Sequence, residues 1–294
     1  MREKTPVPGQ RSASAEPLSP VAALVRHHDR DRFQTVLFAP AARREALFAL
    51  YAFNYEIARA RETVTEPALG RIRLEWWREN VAGLYAEGPL RPHPVIEALA
   101  AAVRGRGLSR AHLDRLIDGR EADFDDRPPA DIADLEDYAE ATSSSLVLLA
   151  LEVLGVGHPA ALDAGRHVGV AYALAGLLRT LALRGSGARP VIPADVAARH
   201  GLDADDAAPL RESPALAAAV DEIAARARAH LEAARALRRG VPRAALPALL
   251  PAVIAGRSLR RLDRAHCDPL SPGLLAAEPL QSWRLAAAFL RKRF

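Results

Sequence analysis

Two stretches carry the residues best placed for chemistry: Tyr51–Glu62 (YAFNYEIARARE) and Gly169–Pro193 (GVAYALAGLLRTLALRGSGARPVIP). Read as helices, both are apolar over most of their surface, and each sets its few polar groups at spacings that line one side. They read as two walls of one pocket, with Tyr51, Asn54, Ala173 and Gly176 as wall residues. From Arg166 to Pro193 there is no Asp or Glu, and the formal charges are Arg166, Arg179, Arg184 and Arg189. A pocket there is neutral or basic. Guanidinium forks match phosphate oxygens, so Arg44, Arg179 and Arg184 form a candidate metal-free phosphate site. The competing assignment pairs these arginines structurally with Glu45, Glu75 or Glu79.

A hard cation such as magnesium needs near-octahedral oxygen ligands, with one or two carboxylates per ion beside waters and substrate phosphates. Glu62 alone cannot supply two facing acidic clusters, and Arg59 and Arg61 beside it disfavour a bound cation. A second acidic group, Glu121, Asp123, Asp125 and Asp126, reads as a solvated helix end. The Tyr138 phenol can donate a hydrogen bond or shuttle a proton; its plainer role is to satisfy a buried polar neighbour. The histidines show no ligand spacing, and no P-loop, nucleophile elbow or dinucleotide fingerprint occurs.

The elements that must position these groups follow from composition. Half of the 294 residues are hydrophobic and only 5% aromatic, so the core is built from Leu, Ala and Val, the first two strong helix formers. The expected class is all-α, since no period-2 run is long enough for a sheet. A net charge of +4 with arginines scattered along the helices suits anionic surfaces better than a nucleic-acid site. The lone Cys267 excludes an internal disulfide and fits a reducing compartment. Charges interrupt each long apolar stretch, so no membrane span is expected, and the first twenty residues lack the apolar core of a secretory signal.

Residues 1–18 are expected to be a disordered lead-in, with one domain over 19–294. Helices are expected at Val21–His28, from which a DRDRF turn leads to Phe33–Phe38, at Ala41–Glu62, and at Ala68–Glu87 with Ile72, Trp76, Val81 and Leu84 inward. One from the His93–Val95 turn to Gly105–Gly107, and Arg110–Phe124 behind a Ser109 cap, follow. Asp131 or Asp134 caps a helix running to Leu154, in which Ser143–Ser145 let another helix or a ligand approach closely. Pro159–Leu183, stopped by Gly185–Gly187, precedes a polar loop at Asp203–Pro214, then Ala215–Arg239 and Ala244–Arg264. In Leu280–Phe294, Leu280, Trp283, Ala287 and Leu290 share one side beside Arg284, Arg291, Lys292 and Arg293; Leu285 and Phe289 fall off it. That is either an interfacial helix for an anionic bilayer or a packed closing helix with a solvated basic tail.

The ordered segments LFAPAARREALFALYAFN, RLEWWREN, HPVIEALA, LIDGREADF, LEDYAEATSSSLVLLALEVLG and GLLRTLALRGSGARPVIPADV resemble the squalene/phytoene synthase family over roughly Asp31–Leu262. The closer resemblance is to its mitochondrial NADH dehydrogenase (complex I) assembly factor 6 branch. It implies a single all-α domain of the isoprenoid synthase fold, with helices around a central apolar cavity. Family enzymes hold magnesium against a prenyl diphosphate with an aspartate-rich motif on each of two facing helices. Those motifs would fall on Ala58, Arg59 and Glu62, and on Gly176, Arg179, Thr180 and Arg184; of the acidic positions only Glu62 keeps a carboxylate. Tyr138 falls where the family has a tyrosine near the active centre, and Asp123 matches a family acid. The resemblance therefore implies a non-catalytic protein with no metal and no cofactor. It would assist complex I assembly at the cytoplasmic or matrix face of the energy-transducing membrane. Implied partners are complex I subunits or assembly intermediates, an isoprenoid or lipid ligand and an anionic membrane surface, with no nucleic acid. Two alternatives stay open: a head-to-head prenyl diphosphate transferase with displaced ligands, which would need magnesium, and a metal-free isoprenoid or lipid binder.

Overall fold

Prolines and short polar side chains decide where the helices of this chain begin. The computed structural model describes residues 17–64, 66–86, 91–183, 190–202, 213–276 and 278–294. Ser19 accepts a hydrogen bond from the Ala22 amide and Pro20 opens α1 (Pro20–His28); Asp29 accepts from the Arg32 amide at the start of α2 (Arg30–Val36). Next come α3 (Ala41–Ala58), α4 (Pro67–Leu84) and α5 (Pro94–Arg106). Gly107 ends α5 in the left-handed region at φ 65°, which a Cβ disfavours. α6 (Arg110–Gly119) tightens into a 3-10 turn at Arg120–Phe124. Asp131 caps α7 (Ile132–Ala139), which widens into a π turn at Glu140–Ser144 and resumes as α8 (Ser145–Leu154). The remaining helices are α9 (Pro159–Arg179), α10 (Ala194–Arg199), α11 (Pro214–Ala236), α12 (Leu246–Leu249), α13 (Pro251–Arg264) and α14 (Gln281–Leu290). Among the described residues there is no strand, so the class is all-α.

α9 is apolar on most sides, the pattern of a helix surrounded by others. α8, α11, α13 and the π turn pack around it, while α3 packs on α1, α5 and α8. Helix α9 meets the π turn at Gly169, where a Cβ would lie 2.4 Å from Ser144 Cα. Only a glycine opposite a small residue permits that approach. The Ser144 hydroxyl donates to the Arg166 carbonyl at 2.7 Å, so this serine is satisfied by α9 itself while letting the helix in, whereas the neighbouring Ser143 Oγ is buried without a partner among the described residues.

Several boundaries differ from the sequence reading. DRDRF is no turn: Asp29 caps it into the first turn of α2. α3 stops at Ala58, four residues before Glu62, ahead of β-branched Thr63 and Val64, which lower helix propensity. On α4 the inward residues are Leu74, Trp77, Val81 and Leu84, whereas Ile72 is exposed. Trp77 is the buried ring, with Trp76 edge-on to it at 4.9 Å between centroids. The expectations for residues 1–16, for Arg184 and Gly185–Gly187, and for residues 203–212 lie outside the described residues.

Candidate functional site

The two walls read from the sequence meet through a third element. Arg32 on α2 bonds back to the Asp29 carboxylate at 2.7 Å. Its guanidinium lies 5.7 Å from the Tyr51 ring centroid on α3 and 4.9 Å from that of Tyr172 on α9, a cation between two aromatic faces. Burial alone would lower the Arg32 pKa, but Asp29 and the two phenols outweigh it and hold it above the ordinary arginine value. Burial pushes the Tyr51 phenol up to about 12, and burial together with Asp31 raises that of Tyr172. Both phenols stay protonated near neutral pH and serve as donors, not bases.

Asp31, next along α2, gathers the far side of the site. Its carboxylate accepts from Tyr172 Oη at 3.4 Å, Arg179 Nη1 at 3.3 Å and Gln281 Nε2 at 2.8 Å, joining α2, α9 and α14. Arg120 occupies the opposite side. It donates to Tyr138 Oη at 3.1 Å and lies 3.5 Å from Asp123, while Tyr138 itself donates to Asp123 at 2.8 Å. Burial and the charge of Arg32 lower the Arg120 pKa, yet Tyr138 and Asp123 outweigh them and it ends raised. Asp123 is thus turned inward, not part of a solvated helix end. Arg120 Nε and Asn54 Oδ1 are buried with no hydrogen-bond partner among the described residues, and groups in that state call for an explanation.

The remaining sequence candidates are scattered around this centre. Ala58 and Arg59 are half-buried at the end of α3. Arg59 lies over the Tyr55 ring and 3.6 Å from Glu56, which also takes Arg73 at 2.8 Å. Glu62 is exposed beyond the helix end. On α9, Ala173 and Gly176 are half-buried, and a Cβ on Gly176 would meet nothing within 4 Å. Thr180 donates to the Gly176 carbonyl at 2.9 Å. Arg44 donates to the carbonyls of Ala39 and Leu37, tying the α2–α3 turn, while the acid opposite Arg179 is Asp31. Glu45, Glu75 and Glu79 instead hold Ser19, Arg78 and Arg91.

Oxygen-rich ligation requires carboxylates free to face an ion. Where the resemblance puts its metal motifs, the described residues are Ala58, Arg59, Gly176, Arg179 and Thr180, with Glu62 exposed, and these side chains offer a single carboxylate to an ion. Beside Arg179, between α9 and α13, the structure leaves a cavity of about 10 Å³, room for one water at most. Sequence reading missed Asp29, Asp31, Arg32 and Arg120. The signal for the first three was the acid–base alternation in DRDRF just before Phe33, which packs on Phe48 in the core.

A family model described as squalene/phytoene synthase matches residues 25–287. NADH dehydrogenase (ubiquinone) complex I, assembly factor 6 of Homo sapiens is 34% identical over 269 residues, 89% of this chain and 80% of that protein. Its Drosophila melanogaster homolog is 34% identical over 282 residues, 92% and 83% of the two. Presqualene diphosphate synthase of Rhodopseudomonas palustris is 27% identical over 206 residues, 69% of this chain and 72% of that one. Among solved structures, a dehydrosqualene synthase superposes with a TM-score of 0.79 at 18% identity, over 92% of this chain and 94% of the other. Squalene synthase HpnC from Alicyclobacillus acidocaldarius gives 0.73 at 20% identity, over 85% and 94%. The fold is the all-α isoprenoid synthase fold.

Proposed function

This chain belongs to the squalene/phytoene synthase family, and on that premise we propose that it is a non-catalytic member that assists the assembly of respiratory complex I. The observation that carries the reading is the charge at the positions where the family places its metal-binding acids. Ala58, Arg59 and Thr180 stand there, none of them negative, and Glu62, which keeps a carboxylate, is exposed beyond the end of α3, so two facing acidic clusters for a divalent ion are not assembled from these residues. The likeness to assembly factor 6 proteins over about nine tenths of the chain supports the same reading. No described helix is long and apolar enough to cross a membrane. The chain works at the cytoplasmic or matrix face of the energy-transducing membrane, on complex I subunits or assembly intermediates.

Two measurements test this. Incubation with labelled farnesyl or geranylgeranyl diphosphate and magnesium should give no condensed product; turnover that a chelator abolishes would sink the proposal. Removing the chain from its host should lower NADH:ubiquinone activity and the amount of assembled complex, and unchanged levels of both would sink it equally.

One observation favours a second reading, a metal-free binder of an isoprenoid diphosphate or lipid. Arg120 Nε lacks a partner and lies near Arg32, so a ligand phosphate would satisfy it. Farnesyl diphosphate without magnesium should then raise the melting temperature of the wild type and not of Arg120→Met; no shift in either removes this reading.

A further inference from the structure

Away from that centre, six cations converge on one concavity. Arg238, Arg239, Arg243, Arg291, Lys292 and Arg293 line a space of about 360 Å³. The first wall is the pair of 3-10 turns after α11, at Leu237–Gly240 and Arg243–Ala245. The second is the chain beyond α14, and it is held in place. Lys292 adopts φ 52°, and the Arg293 amide donates to the Ala288 carbonyl at 2.8 Å. Phe294 is 4% exposed within the core, and its carbonyl accepts from Arg235 Nε at 3.2 Å.

None of the six forms an ion pair among the described residues. Glu278, at the other end of α14, is held by Arg257, Arg261 and Arg284. Arg243 instead lies over the Phe289 ring, 5.1 Å from its centroid. Like charges fixed across a cleft repel one another, and an anion entering between them relieves that repulsion. Beside the cleft, α14 turns Leu280, Trp283 and Leu290 outward at 52%, 76% and 70% exposure. An apolar stripe with an indole next to clustered cations complements the headgroup and acyl boundary of an anionic bilayer.

We propose that this cleft binds the phosphate headgroup of an anionic phospholipid at a bilayer surface, with Trp283 and the leucines of α14 entering the interface beside it. The inference goes beyond the assembly role and holds whichever client is served. It adds Arg238, Arg239 and Arg243 to the basic tail, and so describes a built site in place of a diffuse attraction.

The experiment is co-sedimentation of the full chain with phosphatidylcholine vesicles, with and without phosphatidylglycerol, at low ionic strength. Wild type should bind the doped vesicles alone. Arg238→Gln plus Arg239→Gln should weaken binding by about tenfold, since each cation near such a surface contributes to affinity. A control with the same charge change on α1 and α5, Arg26→Gln plus Arg104→Gln, should bind as wild type. Trp283→Ser should also weaken binding, with melting curves matched to wild type throughout. Equal loss in the control pair would mean diffuse attraction and overturn the site. Full release by inorganic phosphate, but not by chloride of the same ionic strength, would mean a free-phosphate site and overturn the lipid. Absence of binding at low salt would overturn the whole proposal.

Discussion

Gly169 and Gly176 lie two turns apart on α9, and a side chain would meet opposite surroundings at each. At Gly169 a Cβ runs into the Ser144 backbone at 2.4 Å, while at Gly176 it meets nothing. Gly169→Ala should therefore destabilise the protein by about 1–3 kcal/mol through forced separation of α9 from the π turn. Gly176→Ala should be neutral or gain up to about 1 kcal/mol from helix propensity. Urea unfolding of the two variants decides it, and equal effects would contradict the packing described. Glu62, exposed past the end of α3, should tolerate Gln with a change below about 0.5 kcal/mol and with complex I assembly intact. Loss of function in a folded Glu62→Gln protein would point to chemistry at that carboxylate.

The closing helix shows how far periodicity reaches. It finds the apolar stripe Leu280, Trp283, Ala287 and Leu290, but cannot say on which side the bundle lies. The bundle lies on the other: Leu285 is fully buried, and Phe289 packs on Phe38 at 5.4 Å between centroids. Leu285→Ala should therefore cost about 2–5 kcal/mol, whereas Trp283→Ser should change stability by less than about 0.5 kcal/mol; thermal melts that reverse this order would refute the assignment. Ile72 on α4 misleads for the same reason. Elements with local punctuation were legible: Pro94 and Gly107 bracket α5, Pro159 opens α9, and Asp131 caps α7. The all-α class followed from a Leu- and Ala-rich core. The Arg32 cluster was not legible, because Tyr51 and Tyr172 come to Arg32 from distant parts of the chain and no local pattern records that meeting. The π turn escaped too, since nothing in EATSS distinguishes a wide turn from an ordinary one.

At the scale of the whole molecule, titration should write itself into stability. His112 and His167 have pKa values lowered from 6.5, each first by burial; for His167 the facing His230 and Arg166 add to this, and Asp163 and Glu140 oppose it. Below about pH 6.5 the unfolded chain then binds protons more readily than the folded one, so stability falls as pH drops. Glu136 behaves differently. Burial would raise its pKa, but Arg226 outweighs burial and lowers it, so its stabilisation is present above about pH 4.5 and is lost as pH falls through the depressed value. Melting temperature should decline as pH falls below about 6.5, and decline further as it falls below about 4.5. In His167→Gln the first decline should shrink, and an unchanged slope would remove that imidazole as its source. The tail that folds back behind α14 has one more consequence, for reagents instead of partners. The sequence contains only two lysines, Lys4 and Lys292, and Lys292 stands on the wall of the basic cleft. An amine-directed acylating reagent therefore finds only two side-chain targets, and arginine-rich cleavage separates them for mass spectrometry. The extent of acylation at Lys292 becomes a built-in gauge of whether the cleft is covered, and each modification removes one of the charges it measures.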